Sequence, residues 1–131
     1  MSSKYLHRSE KEWKEILNND EFRVLRKKGT EPPFTGKHLY NKEKGIYVCA
    51  ACKNPLFSSE TKFDSGSGWP SFVDVLSRVS VDLKPDYSLG MKRIEVLCSK
   101  CGGHLGHVFD DGPKPTGKRF CINSISLDFK K

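Results

Sequence analysis

A segment near the carboxyl end of the chain combines a thiol with groups that could activate it. Apolar and polar residues alternate from Phe120 to Leu127, and this alternation predicts a strand. One face of that strand would carry Arg119, Cys121 and Asn123. A thiol reacts as its thiolate, and a neighbouring guanidinium lowers the thiol pKa, so Arg119 and Cys121 form a candidate activating pair. The alternative is that Cys121 is a small hydrophobic residue of the core.

The other four cysteines form two C-x-x-C pairs, Cys49 with Cys52 and Cys98 with Cys101. Each pair follows an apolar stretch and stands in a turn-like context. Two such turns facing one another would supply four thiolates to a tetrahedral ion, which is the pattern of a structural zinc site. A redox-active C-x-x-C and two local disulfides are the alternatives. A four-ligand site has no open position for a substrate, so the ion would stabilise the sheet rather than act on a reactant.

Two imidazoles, His104 and His107, directly follow the second cysteine pair in a glycine-rich segment that continues to Phe109 and Asp111. Histidine titrates near neutral pH, so these side chains could donate a proton or orient a water molecule. Taken alone, the pair could equally be a surface feature or part of a metal site.

A second glycine-rich segment, Phe63–Phe72, contains Trp69 followed by proline. The proline biases Trp69 to an extended backbone, and the glycines leave space beside its ring. Such a tryptophan is either part of the core or, beside a reactive thiol, a wall for a small apolar substrate group.

Length and composition restrict the class of protein. A chain of 131 residues predicts one domain, and no apolar run approaches the ~20 residues of a membrane span. The net charge of +7 is spread along the chain without a basic stripe interleaved with aromatics, which argues against nucleic-acid binding. Met1–Arg8 lacks the apolar region of a secretion signal, so we expect a cytoplasmic protein with free thiols.

The first 44 residues are expected to form a helical layer and an arm. Ser9 and Glu12 form a capping box for a short helix with the apolar face Trp13, Ile16 and Leu17. A second helix is expected to begin at Asp20 as its N-cap and to close at Lys27, Lys28 and Gly29.

Residues 45–131 are expected to form a mainly antiparallel β core that holds the zinc and the active site. The predicted strands are Gly45–Cys49, Pro55–Ser58, Ser77–Leu83, Lys92–Leu97, His107–Phe109 and Arg119–Asp128. The fold class is therefore mainly β (α+β), with helices at the amino-terminal side.

Taken together, the motifs resemble the B-type methionine sulfoxide reductases in order and approximate spacing. The resemblance runs from about Tyr5 to Asp128, and the segments that carry it are Cys49–Cys52, Ser65–Phe72, Cys98–Cys101, Gly103–Phe109 and Arg119–Ser124. It implies a zinc-stabilised Mss4-like β-fold. It also implies reduction of the R epimer of methionine sulfoxide, mainly in proteins.

The resemblance also implies roles for individual residues. Cys121 matches the nucleophile, which becomes a sulfenic acid as methionine leaves. His104 and His107, with Asp111, match the positions that hold and protonate the sulfoxide oxygen. Trp69 matches the residue that packs on the substrate methyl, and Phe109 is expected to bind substrate beside it. Positions that flank the thiol are matched by Arg119 and Asn123, and zinc would be held by Cys49, Cys52, Cys98 and Cys101.

One departure from the family pattern affects how the enzyme is recycled. Ser67 stands where many members carry a second, resolving cysteine. If zinc holds the other four thiols, nothing in the chain can form a disulfide with Cys121. Thioredoxin or another external thiol would then reduce the sulfenic acid directly, and we expect the enzyme to be a monomer.

Two other classes compete with this interpretation. A non-enzymatic zinc-held β-module would need the four zinc ligands but not Cys121, the two imidazoles and Trp69 together. A thiol–disulfide exchanger would be expected to carry a C-x-x-C pair at a helix start, whereas both pairs here follow predicted strands.

Overall fold

The computed structural model describes residues 8–131, and its chain begins with two short helices, α1 (Glu10–Ile16) and α2 (Asn19–Leu25). The predicted capping box of α1 is confirmed: the Glu12 N–H donates to Ser9 Oγ and the Ser9 N–H donates to Glu12 Oε1. Residues 1–7, which make up most of the segment that lacks the apolar region of a secretion signal, lie outside the described part of the chain.

The predicted N-cap of α2 is wrong by two residues. Asn18 caps this helix and forms a reciprocal capping box with Glu21. Asp20 lies in the first turn instead, where its charge complements the helix dipole. The helix ends at Leu25, and the left-handed residue beyond it is Lys28, with φ 60, rather than Gly29.

The predicted apolar face of α1 is confirmed in part. Trp13 and Leu17 are buried, whereas Ile16 is 50% exposed. Trp13 and Leu17 are four residues apart and therefore lie on the same face of the helix. Only this face packs against the rest of the protein, which leaves Ile16 exposed. No helix within residues 8–131 has the length and apolar character needed to span a membrane.

Within residues 8–131, nine antiparallel strands follow the helices and divide into two sheets. The smaller sheet has the order β2-β1-β9, and the larger has the order β3-β4-β8-β7-β6-β5. The strands are β1 (Ile46–Cys49), β2 (Pro55–Ser58), β3 (Lys62–Phe63), β4 (Ser71–Phe72), β5 (Val81–Asp86), β6 (Arg93–Cys98), β7 (His104–Phe109), β8 (Arg119–Ile122) and β9 (Leu127–Lys130). The predicted class, mainly antiparallel β with amino-terminal helices, is confirmed.

The prediction of one continuous strand over Arg119–Asp128 is wrong, because the strand ends at Ile122 and a second strand begins at Leu127. Asn123 precedes a 3₁₀ turn, Ser124–Ser126, that carries the chain from β8 in the larger sheet to β9 in the smaller one. Uninterrupted alternation would place Leu127 on the same face as Cys121, but Leu127 is instead buried in the core. The strand predicted at Ser77–Leu83 begins later, at Val81, and the two-residue strands β3 and β4 were not predicted.

One hydrophobic core joins the helices to the sheets. Phe57 of β2 stacks on Phe72 of β4 with ring centroids 4.4 Å apart, so the two sheets pack through aromatic side chains. Side chains of α1 and α2 complete the same cluster: Trp13, Leu17, Phe22 and Leu25. The helical layer is thus part of the core that supports the site.

Candidate active site

Three adjacent strands hold Cys121 at the centre of the larger sheet. In the β7–β8 pair His107 lies opposite Cys121 and Phe109 lies opposite Arg119, while Ser71 of β4 lies opposite Cys121 on the other side. Directly opposed residues of an antiparallel pair share a face, so the thiol and the His107 imidazole lie on the same side of the sheet. Gly106 permits this approach, because a Cβ there would lie 2.0 Å from the Cys121 carbonyl oxygen.

Cys121 lines a cavity of about 260 Å³ that opens to solvent. This volume lies below the usual range of ~300–1,000 Å³ for small-molecule sites, so the cavity suits a single side chain. Its wall combines aromatic, cationic and hydrogen-bonding groups: Thr30, Ser67, Trp69, Arg93, Gly106, His107, Phe109, Arg119 and Asn123. The predicted residues Trp69, His107, Phe109, Arg119 and Asn123 therefore meet around the thiol.

The pKa of the Cys121 thiol is raised above its ordinary value, because burial disfavours the thiolate. A hydrogen bond with Ser67, whose Oγ lies 3.9 Å from Cys121 Sγ, and the charge of Arg119 both act in the opposite direction. The sequence predicted activation of Cys121 by Arg119. The structure shows that this effect is present but smaller than the effect of burial.

Arg119 is held by a carboxylate and an aromatic ring. Its Nε and Nη2 atoms donate to the two carboxylate oxygens of Asp111 at 2.8 and 3.1 Å, and its guanidinium lies 4.5 Å from the centre of the Phe109 ring. Asp111 is exposed and does not line the cavity, so it acts on the site through Arg119. This bidentate pair lowers the pKa of Asp111 and raises that of Arg119.

The two histidines occupy different layers. His107 lines the cavity, and its Nε2 lies 2.7 Å from Oδ2 of the buried Asp86. His104 is only 3% exposed and lies behind His107, with its Nδ1 2.6 Å from Oε2 of the buried Glu95 and the two rings 5.5 Å apart. Burial lowers the pKa of His107, although Asp86 opposes this effect.

Trp69 and Asn123 are anchored to one residue of the amino-terminal arm. The Trp69 indole N–H donates to the Glu31 carbonyl at 2.9 Å, and the Glu31 N–H donates to Asn123 Oδ1 at 3.0 Å. The Asn123 amide also donates to the Leu105 carbonyl. An amide nitrogen carries two hydrogens, so Asn123 keeps one donor for a group in the cavity.

The two C-x-x-C pairs meet outside the cavity and form equivalent turns. Lys53 and Gly102, each the residue after a second cysteine, have positive φ, and each donates its N–H to the carbonyl of the first cysteine of its pair at 2.8 Å. This turn presents both thiols of a pair in the same direction.

The four thiols have the spacing that a tetrahedral metal requires. All four sulfurs lie within 4.8 Å of one another, with Cys49–Cys101 at 3.7 Å and Cys52–Cys98 at 3.5 Å. Zinc–sulfur bonds of ~2.3 Å in a tetrahedron place sulfur atoms ~3.8 Å apart. Cys49, Cys52, Cys98 and Cys101 therefore fit a structural metal site, as predicted.

Comparison with known proteins identifies the family. Residues 17–131 match the SelR domain. Over 130 residues, 99% of this chain and 92% of the relative, the sequence is 63% identical to the peptide methionine sulfoxide reductase MsrB of Methanosarcina barkeri. The chain belongs to the B-type methionine sulfoxide reductases. The MsrB of Leptospira interrogans is 58% identical over 126 residues, 96% of each chain. The mouse mitochondrial methionine-R-sulfoxide reductase B3 is 54% identical over 121 residues, 92% of this chain and 48% of the mouse protein.

These findings confirm the predicted family and the predicted enzyme class, a peptide-methionine (R)-S-oxide reductase. They favour the enzyme over the non-enzymatic module and the thiol–disulfide exchanger. The geometry agrees, because the two C-x-x-C pairs face each other while Cys121 lies apart from them in the cavity.

Sequence reasoning missed the residues of the reductase that support the histidines and the cavity wall. Asp86, Glu95 and Glu31 are each at most 3% exposed and were not singled out. Glu95 had a detectable signal, since it interrupts the apolar strand Arg93–Cys98 and a carboxylate in such a strand requires a partner. Asp86 and Glu31 lie at a strand end and in a proline-rich arm, where no periodic pattern distinguishes them.

Proposed function

We propose that the enzyme reduces the R epimer of methionine sulfoxide, mainly in proteins, with Cys121 as the nucleophile. The observation that carries this proposal is the position of the Cys121 thiol, in a cavity sized for a side chain between an aromatic wall and a wall of hydrogen-bonding groups. The core that includes both helices supports treating the chain as one reductase domain.

The proposed reaction transfers one oxygen atom from substrate to enzyme. The Cys121 thiolate attacks the sulfoxide sulfur and forms a sulfur–sulfur bond, while the sulfoxide oxygen takes up one proton. The resulting hydroxyl group then moves from the substrate sulfur to the Cys121 sulfur as the sulfur–sulfur bond breaks. Cys121 becomes a sulfenic acid, and methionine leaves reduced by two electrons. Because burial raises the pKa of Cys121, Arg119 and Ser67 are proposed to stabilise the thiolate that the attack requires.

His107 is the proposed proton donor to the sulfoxide oxygen. It lies opposite Cys121 and lines the cavity, whereas His104 is proposed to support its ring from behind. Asp86 occupies Nε2 of His107, which leaves Nδ1 as the nitrogen that can serve a substrate. Asn123 adds a second donor near the oxygen, and Asp111 is proposed to hold Arg119 in place.

The two unlike walls support selection of a single epimer, which we assign as R because the mouse relative is named a methionine-R-sulfoxide reductase. Sulfoxide sulfur carries an oxygen, a methyl group and the rest of the side chain. When the oxygen faces His107 and the methyl packs against Trp69 and Phe109, the remaining chain must point to the opening. Only one epimer then turns its sulfur toward Cys121. Incubation with a racemic sulfoxide peptide should therefore consume half of the substrate, and consumption of both epimers at equal rates would contradict this assignment.

Recycling is proposed to need an external thiol, with thioredoxin as one candidate. Ser67 Oγ is 3.9 Å from Cys121 Sγ, so a hydroxyl stands where a resolving thiol would have to be. Two reductant thiols would convert the sulfenic acid to thiol and water and leave as a disulfide. Mass spectrometry after one turnover without reductant should find sulfenic acid at Cys121, and an intramolecular disulfide there would refute the proposal.

Zinc is the proposed ion of the four-cysteine site, where it would stabilise the fold without touching substrate. A cytoplasmic, monomeric enzyme is proposed as well. The support for a reducing compartment such as the cytoplasm is that all five cysteines are free of disulfides.

The decisive experiment is single-turnover reduction by Cys121→Ser. This variant should retain zinc and the wild-type melting temperature but lose reduction of the R-sulfoxide, since serine cannot accept the oxygen. Ser67→Ala is the matched control, because it changes a neighbour of the thiol and leaves Cys121 in place. Wild-type activity in Cys121→Ser would overturn the assignment of the nucleophile.

A further inference from the structure

A cluster of buried charges lies behind the two histidines. Asp86 and Glu95 are each 3% exposed, and each gives one carboxylate oxygen to an imidazole, Asp86 to His107 and Glu95 to His104. Buried carboxylates are strongly destabilised unless a cation or several donors pair with them. The group that pairs with Asp86 and Glu95 therefore affects how firmly these carboxylates hold the two histidines.

Lys28 supplies a cation that reaches both carboxylates. Its Nζ lies 3.0 Å from Asp86 Oδ1 and 3.6 Å from Glu95 Oε1, the oxygens that do not contact the imidazoles. One ammonium group thus bridges the two carboxylates from the side opposite the histidines. The interaction raises the pKa of Lys28, with the Asp86 hydrogen bond as the largest cause.

The backbone at Lys28 has an unusual conformation. Its φ of 60 lies in the left-handed region, which a lysine rarely adopts because its Cβ crowds the backbone there. The residue follows α2 and precedes the arm that carries Thr30, which lines the cavity, and Glu31, which anchors Trp69. Left-handed backbone in a non-glycine residue beside a site persists only when its surroundings hold it.

The charges of the cluster balance when both imidazoles are neutral. Lys28 and Arg93, whose Nη2 is 3.5 Å from Asp86 Oδ2, carry two positive charges, and Asp86 and Glu95 carry two negative charges. Removing the Lys28 charge would leave one carboxylate charge uncompensated next to the imidazoles. Such a charge favours the protonated imidazole.

We propose that Lys28 is a positioning residue of the reductase: its ammonium group clamps Asp86 and Glu95 against His107 and His104 and thereby sets the pH at which His107 accepts and donates its proton. The expected effect of Lys28 on the reaction rate rests on the proposed role of His107 as proton donor. Lys28 itself touches neither the cavity nor the thiol and acts only through the two carboxylates.

Every packed element contributes to the charge around His107. Burial has the largest effect and disfavours the protonated form of His107. Arg93 on β6 and His104 on β7 also disfavour the protonated form, whereas Asp86 on β5 favours it. Strand β8 contributes Cys121, directly opposite, and Arg119 near Phe109. Lys28 differs from these groups in reaching the cluster from the segment after α2.

The test compares Lys28→Gln, which removes the charge at similar length, with Lys28→Arg, which retains it. Lys27→Gln is the matched control, because Lys27 pairs with the exposed Glu10 and not with the cluster. All are prepared as the zinc-loaded full chain. The His107 pKa is measured by NMR titration of its ring, assigned by its loss in His107→Gln, and the pH dependence of single-turnover reduction is measured in parallel.

Lys28→Gln should raise the His107 pKa by roughly half a pH unit to one pH unit, because Lys28 is partly exposed and solvent screens its charge. The alkaline limb of the pH–rate profile should move upward by the same amount, about three- to tenfold in rate on that limb. Lys28→Arg and Lys27→Gln should match the wild type.

An unchanged His107 pKa in Lys28→Gln would overturn the inference. A shift in the NMR titration without a shift in the rate profile would support the clamp but refute His107 as the proton donor, so the two failures are distinguishable. If Lys28→Gln does not fold, Lys28→Asn gives the same test, since asparagine tolerates left-handed backbone and also removes the charge.

Discussion

Removal of the metal from the four-cysteine site should unfold the protein or lower its melting temperature steeply. Cys49 ends β1 in the smaller sheet, and Cys98 ends β6 in the larger sheet, so an ion bound to both pairs crosslinks the two sheets. The free energy of this crosslink can be estimated from the chain it closes.

Cys52 and Cys98 are separated by 46 residues, and closing a loop of that length in the unfolded chain corresponds to about 4 kcal/mol at 25 °C in the chain-entropy treatment of crosslinks. A domain is typically stable by only ~5–15 kcal/mol, so this loss removes a large fraction of the total. For a domain of this size each kcal/mol corresponds to about 3–5 °C, which predicts a decrease of about 12–20 °C.

The assay is thermal unfolding by circular dichroism of zinc-loaded and chelator-treated protein in the presence of a non-thiol reductant. Alkylation followed by mass spectrometry counts the accessible thiols in the same samples. The loaded protein should react at Cys121 alone, and the chelator-treated protein at all five cysteines. Cys121→Ser is the control, since it should melt like the wild type and show no reactive thiol when loaded. A melting temperature that is unchanged after complete metal removal would refute the crosslink argument.

Two further predictions concern the walls of the cavity. Arg119→Met should raise the Cys121 pKa further, because the charge that favours the thiolate is lost. Below that pKa the thiolate fraction and the alkylation rate of Cys121 should then fall by roughly three- to tenfold, and an unchanged pH profile of alkylation would contradict this role. Trp69→Ala should lower kcat/KM for the sulfoxide by about 30- to 100-fold, the equivalent of losing about 2–3 kcal/mol of aromatic contact. Trp69→Phe keeps a ring but not the hydrogen bond to Glu31, so equal losses in both variants would show that the anchor, not the methyl contact, is what matters.

The sequence was most informative where chemistry follows directly from residue type and local spacing. The two C-x-x-C pairs predicted a metal site because a turn of this length brings two thiols to one side, and the structure places all four sulfurs together. The alternation around Cys121 predicted a strand with Arg119 and Cys121 on one face, and β8 confirms it. Ser9 and Glu12 predicted the start of α1 for the same local reason.

One prediction failed where a long-range contact outweighed the local pattern, and another failed where a neighbouring local motif was the better cap. Alternation from Phe120 to Leu127 reads as one strand, but the chain turns at Asn123 because β9 must pair with β1 in the other sheet. Asp20 is an acceptable N-cap by type, yet Asn18 is followed three residues later by a glutamate that completes the reciprocal pair.

What the sequence determined by itself is the identity of the reactive groups: one thiol apart from two metal-binding pairs, two imidazoles and an indole. Only the tertiary structure decided which of these groups line the cavity and which lie behind it. The register of β7 and β8 places His107 in the cavity and leaves His104 behind it, and packing joins Asp86, Glu95 and Lys28 from separate parts of the chain. The physical reason is that a charge in a protein interior must find its partner in space, and no local pattern records which distant segment will provide it.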